Sequence, residues 1–170
     1  MSKFKLSTLA VAVSALGMLG FSTVSQADQN VVDQLSQLKV NVKVTDNRAA
    51  ENGVDCAALG ADWAACNQSV ITLTSDSDIK AKDWAIYFHN PRQVLDVKND
   101  QFKITFVTGD LHKIEPTDKF KGFTAGQAVE IPLIGEYWQL FESDVMPRWY
   151  VTSQDAKPKV IASTDTEDLR

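Results

Sequence analysis

The chain has 170 residues, with 17 Lys and Arg against 22 Asp and Glu, and a formal net charge of −5. An acidic chain without a basic run excludes ordinary nucleic-acid binding, which is driven by lysine and arginine on phosphate. The acidity favours solubility and decides nothing about fold.

Lys3 and Lys5 open the chain, Leu9–Phe21 is apolar with small residues interspersed, and Ser25-Gln26-Ala27 places small residues at −3 and −1 of a cleavage point before Asp28. That order reads as a secretory leader over residues 1–27. A membrane anchor is the alternative, but Leu9–Phe21 is 13 residues, short of the roughly 20 needed to span a bilayer. No cysteine follows the apolar run, so no lipid anchor is indicated. The expected location is therefore exported, periplasmic or extracellular, without membrane contact after cleavage. Residues 28–170 are long enough for one domain and too short for two comfortable ones.

The predicted elements of that domain are mostly strands. Asn30–Leu38 is an ambiguous short helix. Then "LKVNVKVTDN" alternates, with Leu38, Val40, Val42 and Val44 on one face and Lys39, Asn41, Lys43 and Thr45 on the other. Period two with β-branched residues is a half-buried strand. "NRAAENGVDCAALGADWAACNQ" has no period and reads as a long loop. "SVITLTS" and "DWAIYFH" are strands, the latter with Trp84, Ile86 and Phe88 on one face and Ala85, Tyr87 and His89 on the other. Pro91 breaks the chain. "VLDV" is short, and "QFKITFVTG" sets Phe102, Ile104 and Phe106 on one face. "AVEIPLIGEYWQL" is extended, and Pro132 inside it argues for an edge or a bulge. "PRWYVTS" is the last expected strand, and the polar tail after Pro158 shows no core-facing pattern. Seven or eight short strands at roughly 10-residue spacing give an all-β, antiparallel β-sandwich.

Export places Cys56 and Cys66 where two thiols this close in sequence pair. The loop they close has about ten residues, worth roughly 2–3 kcal/mol in the chain-entropy model. A metal site would need more partners, and the chain has only His89 and His112 to offer, so no metal or cofactor is expected.

"TGDLHKIEPT" gathers Asp110, His112, Lys113 and Glu115 within six residues. These are acid–base residue types, but in extended backbone alternate side chains face opposite sides and cannot converge. Gly109-Asp110 is turn chemistry, and the stretch reads as a charged β-turn. No Gly-rich phosphate loop and no Gly-x-Ser-x-Gly are present. No catalytic residue is expected.

The aromatics remain. Trp84 belongs to the core by its alternation with Ile86 and Phe88. "EYWQL" and "PRWYV" each set two aromatics side by side, so one of each pair faces outward. Trp63, Tyr87, Trp138 and Trp149 are the candidate contacts for a sugar or for another domain. Trp63, inside the cysteine loop, either presents an indole face or folds back to cap the core.

Five blocks, "LKVNVKVTDNRAAENGVDCAALGADWAACN", "DWAIYFHNPRQ", "TGDLHKIEPTDKFKGF", "YWQLFESDVMPRWYV" and "PKVIASTDTEDL", occur in an order that resembles the N-terminal domain of bacterial chitobiases, secreted β-N-acetylhexosaminidases. The resemblance covers essentially all of 28–170. It implies a β-sandwich similar to cellulose-binding modules, with Cys56–Cys66 as a disulfide. In that family the chemistry lies in a separate family-20 glycoside hydrolase barrel downstream, and a (β/α)₈ barrel takes about 250 residues. The resemblance therefore implies a non-catalytic module. Its expected partners are a chitin-type oligosaccharide or polysaccharide, or the glycoside hydrolase domain itself, against which it would pack.

Overall fold

The computed structural model describes residues 25–139, 148–161 and 163–167; most of the expected leader lies outside them. In chain order the elements are α1 (Gln26–Leu35), β1 (Lys39–Asp46), a 3-10 turn at Asp62–Ala64, β2 (Cys66–Thr74), β3 (Trp84–His89), β4 (Val94–Val97), β5 (Phe102–Thr108), β6 (Leu111–Pro116), β7 (Ala128–Glu136), β8 (Tyr150–Ser153), β9 (Lys159–Val160) and β10 (Ser163–Glu167). They form two five-stranded sheets, ordered β10-β1-β2-β7-β4 and β5-β6-β3-β8-β9. This is the expected β-sandwich.

Its core follows from alternation. Val40, Val42 and Val44 of β1, Ile71 and Leu73 of β2, and Ile131 and Leu133 of β7 are buried from the first sheet. Trp84, Ile86 and Phe88 of β3, Ile114 of β6 and Val151 of β8 answer them from the second. α1 adds Val32 and Leu35, three residues apart and so on one helix face. No helix among the described residues is long and apolar enough to cross a membrane.

Strand direction gives the sandwich two unlike ends. At the helix end, Trp84, Phe102, Phe120 and Phe123 form an edge-to-face and tilted aromatic cluster. At the other, β1, β3, β5 and β7 finish while β2, β4 and β6 begin. The two sheets are tied there by Gln139 Nε2 donating to Asn90 Oδ1 at 3.2 Å. The disulfide lies at this second end.

Three expectations change. "PRWYVTS" is not the last strand: 159–160 and 163–167 are strands too, and β10 pairs with β1 in parallel while the other pairs described are antiparallel. A strand at a sheet edge needs backbone partners and no apolar pattern, so periodicity does not reveal it. The helix starts at Gln26 and ends at Leu35 instead of covering Asn30–Leu38. Pro132 sits in β7, which has neighbours on both sides. Its carbonyl accepts from Lys98 N at 2.8 Å, so its missing N–H also faces the β4 side, just past Val97 where β4 has ended. The proline thus removes no rung of the ladder.

Candidate functional site

The long loop after β1 is held by its own small core. Ala49, Cys56, Ala61 and Cys66 are buried against Ile134 of β7, with Val54, Leu59 and Leu95 packed around them. Cys56 and Cys66 are disulfide-bonded with their Cα atoms 5.7 Å apart. Within this closed loop the chain turns at Trp63 (φ 60°) and Ala64 (φ 50°). Both lie in the left-handed region, which costs an L-residue roughly 1–2 kcal/mol each. The turn is fixed from below: Asp62 N donates to Glu136 Oε1 at 3.1 Å, and Tyr137 N donates to Ala65 O at 2.9 Å. Its result is that the Trp63 side chain is 90% exposed. Trp63 therefore does not cap the core; the left-handed backbone aims it into solvent.

Beside it, β7 is followed by a third left-handed residue, Tyr137 (φ 58°). Among the described residues, Trp63, Ala64 and Tyr137 are the non-glycine positions with positive φ, and all three lie at this end. Strain of this kind persists where the surroundings over-determine it, and it gathers at ligand contacts. Trp138, next in the chain, is 49% exposed. The Arg92 guanidinium carbon sits 5.8 Å from the centre of the Tyr137 ring. Partial desolvation, then the carboxylates of Asp62 and Glu136, raise the Tyr137 phenol above its ordinary range. It keeps its proton at neutral pH and can donate an O–H. Phe106 and Val107 at the close of β5 are also exposed at this end.

The structure thus brings Trp63 and Trp138 to one end and places the other two candidate aromatics elsewhere. Tyr87 is half-buried on the outer face of the second sheet, in register with Lys113 on one side and Tyr150 on the other. Trp149 is corrected outright as a contact. It is 1% exposed and stacks on Phe88 with ring centres 4.6 Å apart. Of the pair Trp149-Tyr150, the indole faces in and the phenol faces partly out.

The acid–base stretch also separates. Gly109 and Asp110 form the turn, but Leu111–Pro116 is β6. Lys113 and Glu115 point outward, where Glu115 Oε2 meets Lys113 Nζ at 3.0 Å and Lys103 Nζ at 3.2 Å. Burial alone would raise the Glu115 carboxyl, but the two lysines outweigh it and the net shift is downward. His112 faces the core, against the expectation of a charged turn. It stacks on Phe88 and meets Phe106 edge-on. Its Nδ1 lies 3.1 Å from Asp110 O, and its buried Nε2 has no partner. That geometry selects the Nδ1–H tautomer. Among the described residues no group of three or more His, Cys, Asp or Glu is placed to hold a metal.

Burial lowers the His112 pKa, against the opposing pull of Asp110. A histidine held neutral by the fold contributes stability that is present above its unfolded pKa, about 6.5. It is lost as pH falls below that value towards the lower folded pKa, because the unfolded chain binds the proton first. The expected loss through this group is up to about 1.4 kcal/mol per pH unit in that window. Urea midpoints at pH 7.5, 6.5 and 5.5 should therefore fall more steeply for the native chain than for His112→Phe. Parallel curves would show that the buried ring takes its proton without cost.

A model of the family described as "Putative carbohydrate binding domain" matches residues 37–170. The chain is 50% identical to an N,N'-diacetylchitobiase of Vibrio harveyi over 94% of its own length and 18% of the relative's. It is 33% identical to a beta-hexosaminidase of Vibrio vulnificus over 82% of its own length and 16% of the relative's. The chain thus spans less than a fifth of these relatives. Among solved structures it is similar to a GH20 exo-β-N-acetylglucosaminidase of Vibrio harveyi in complex with N-acetylglucosamine. That likeness has TM-score 0.51 and 16% identity, over 77% of this chain and 18% of that one, and it bears on the fold. The sandwich, the solvent-facing aromatics at its disulfide end and the match over 37–170 agree, and the chain belongs to this carbohydrate-binding domain family of the chitobiase and β-hexosaminidase type.

Proposed function

We propose that residues 28–170 are an exported, non-catalytic module that binds chitin-type oligosaccharide or polysaccharide, with Trp63 and Trp138 as its contacts. The observation that carries this reading is Trp63, 90% exposed on two left-handed residues inside a disulfide-closed loop. An indole offers 150–250 Å², so leaving it in water forgoes about 4 kcal/mol at the usual area coefficient. Backbone strain adds to that cost. A ring presented so is explained by something that covers it, and the C–H face of a pyranose suits a flat aromatic surface. Holding the loop in advance reduces the entropy lost on binding. Tyr87, on the outer face of the other sheet, takes no part in this contact. Export rests on the leader-like residues 1–27 and on the disulfide, a bond of oxidising compartments.

A second reading is favoured by one further observation. Trp63, Trp138, Phe106 and Val107 are exposed at the same end, and β10 runs parallel to β1 towards it. In this reading the end packs against a glycoside hydrolase barrel. Insoluble chitin should deplete the chain from solution at micromolar protein. Trp63→Ala should weaken that depletion while changing unfolding free energy by less than about 1 kcal/mol, as for other surface substitutions. No depletion, together with tight association to a separately produced barrel, would replace the first reading by the second.

A further inference from the structure

An exposed aromatic contact is useful only if its backbone is fixed, and the backbone after β7 has no sheet to fix it. Within a strand, backbone groups pair with neighbouring strands. The left-handed turn at Tyr137 ends that pairing, so the carbonyls of the next residues need other donors. Three side chains from three separate parts of the chain supply them. Asn67 Nδ2, from the start of β2, donates to Tyr137 O at 2.9 Å. Arg92 Nε, from the β3–β4 connection, donates to Trp138 O at 2.9 Å. Asn47 Nδ2, just past β1, donates to Gln139 O at 2.8 Å, and its Oδ1 accepts from Gln139 N at 2.9 Å.

We infer that Asn47, Asn67 and Arg92 are positioning residues, a three-point clamp on the consecutive carbonyls of Tyr137, Trp138 and Gln139 that fixes how Trp138 meets a ligand. The inference rests on the proposed reading for its ligand and on the hydrogen bonds for its geometry. Two of the jaws are themselves held in place. Asn67 is 0% exposed, and its Oδ1 accepts from Ser69 Oγ at 2.7 Å. It lies against Gly135, where a Cβ would come within 2.8 Å of Asn67 Nδ2, so a side chain at 135 would push this jaw aside. Arg92 N donates to Asn90 Oδ1 at 3.2 Å, the oxygen that also accepts from Gln139 Nε2. Arg92 further covers one side of the Tyr137 ring, which leaves Trp138 as the open face of the pair. The clamp orders the contact before any ligand arrives, and so reduces the entropy that binding must overcome.

Arg92→Met tests this with little risk to the fold, because Arg92 is half-buried and outside the core, and its bond to Trp138 O is exposed. With chitohexaose as the probe, Arg92→Met should weaken binding by about tenfold, the scale of one hydrogen bond from a charged donor. Arg92→Lys, which keeps a cationic donor, should recover most of it. In ¹H–¹⁵N spectra the amides of 137–139 and the Trp138 indole should shift together in Arg92→Met, while the indoles of Trp84 and Trp149 stay in place. Asn47→Ala should move the same amides. If the native chain ignores chitohexaose, the sugar reading fails and the spectra alone decide the clamp. Unmoved 137–139 amides in Arg92→Met, or an Arg92→Lys chain no better than Arg92→Met, would overturn it.

Discussion

Replacing Trp149 by alanine is expected to cost 3–5 kcal/mol, the range of large aromatic truncations in cores. Trp149 enters the middle of the sandwich from just before β8. It stacks on Phe88, which in turn stacks on His112, and with Val42, Ser69, Ile71 and Leu133 of the first sheet it lines one small space between the sheets. Removing the indole takes a shared partner from both sheets and leaves a void that rigid strands fill poorly. A domain of this size has 5–15 kcal/mol in all, so the loss should lower the melting temperature by roughly 10–15 °C. Near-ultraviolet circular dichroism during heating measures it. Trp149→Phe should recover part of the loss. A melting temperature within two or three degrees of the native value would mean that the core closes around the gap. The contrast with Trp63→Ala is the informative one: the same residue type, near the same end, with opposite expected consequences.

The second large effect belongs to the disulfide. Cys66→Ser is expected to cost about 2–3 kcal/mol from the freed ten-residue loop alone. The damage should not stop at the loop. Cys66 and Cys56 are part of the small core around Ile134, and Asn67, one jaw of the clamp on 137–139, follows Cys66 directly. The loop is therefore expected to open locally before the sandwich melts. Limited proteolysis of the native chain with and without a reductant should show new cleavage within residues 47–65 while the two sheets remain protected. Chitin depletion should fall in step. A reduced chain that resists protease in this loop would show that the small core holds it unaided.

How far the sequence carried this picture depends on where each feature's cause lies. β1 and β3 were legible because their burial is local: every second residue faces in, and Val40, Val42, Val44, Trp84, Ile86 and Phe88 say so. β10 was not, because it is held by the backbone of β1 and its own residues carry no pattern. At the paired aromatics, alternation implied that one of Trp149 and Tyr150 faces out. Which one depends on the register of β3 against β8, which sets Trp149 beside Phe88 on the inner face, a fact of tertiary pairing. Trp63 was legible as a loop residue, but its exposure is set by two backbone angles that no neighbour's identity announces. The clamp was invisible for a similar reason. Asn47, Asn67 and Arg92 are ordinary polar residues 20 and 25 positions apart, and only the fold sets them around three successive carbonyls. His112 could have been suspected. It alternates with Ile114, as buried strand positions do, and the charged residues between them obscured that signal.

The parallel β1·β10 pair has a mechanical consequence. Its register runs from Lys39↔Ser163 to Lys43↔Glu167, so the chain enters the pair at one end, before Lys39, and leaves it at the other, after Glu167. Tension between those two points pulls the strands lengthwise past each other. The rungs are then loaded together, in shear, instead of being peeled one at a time. A pull applied at the two ends of this pair, before Lys39 and after Glu167, would be resisted through this seam. Its resistance would be governed by the height of the unfolding barrier and not by equilibrium stability.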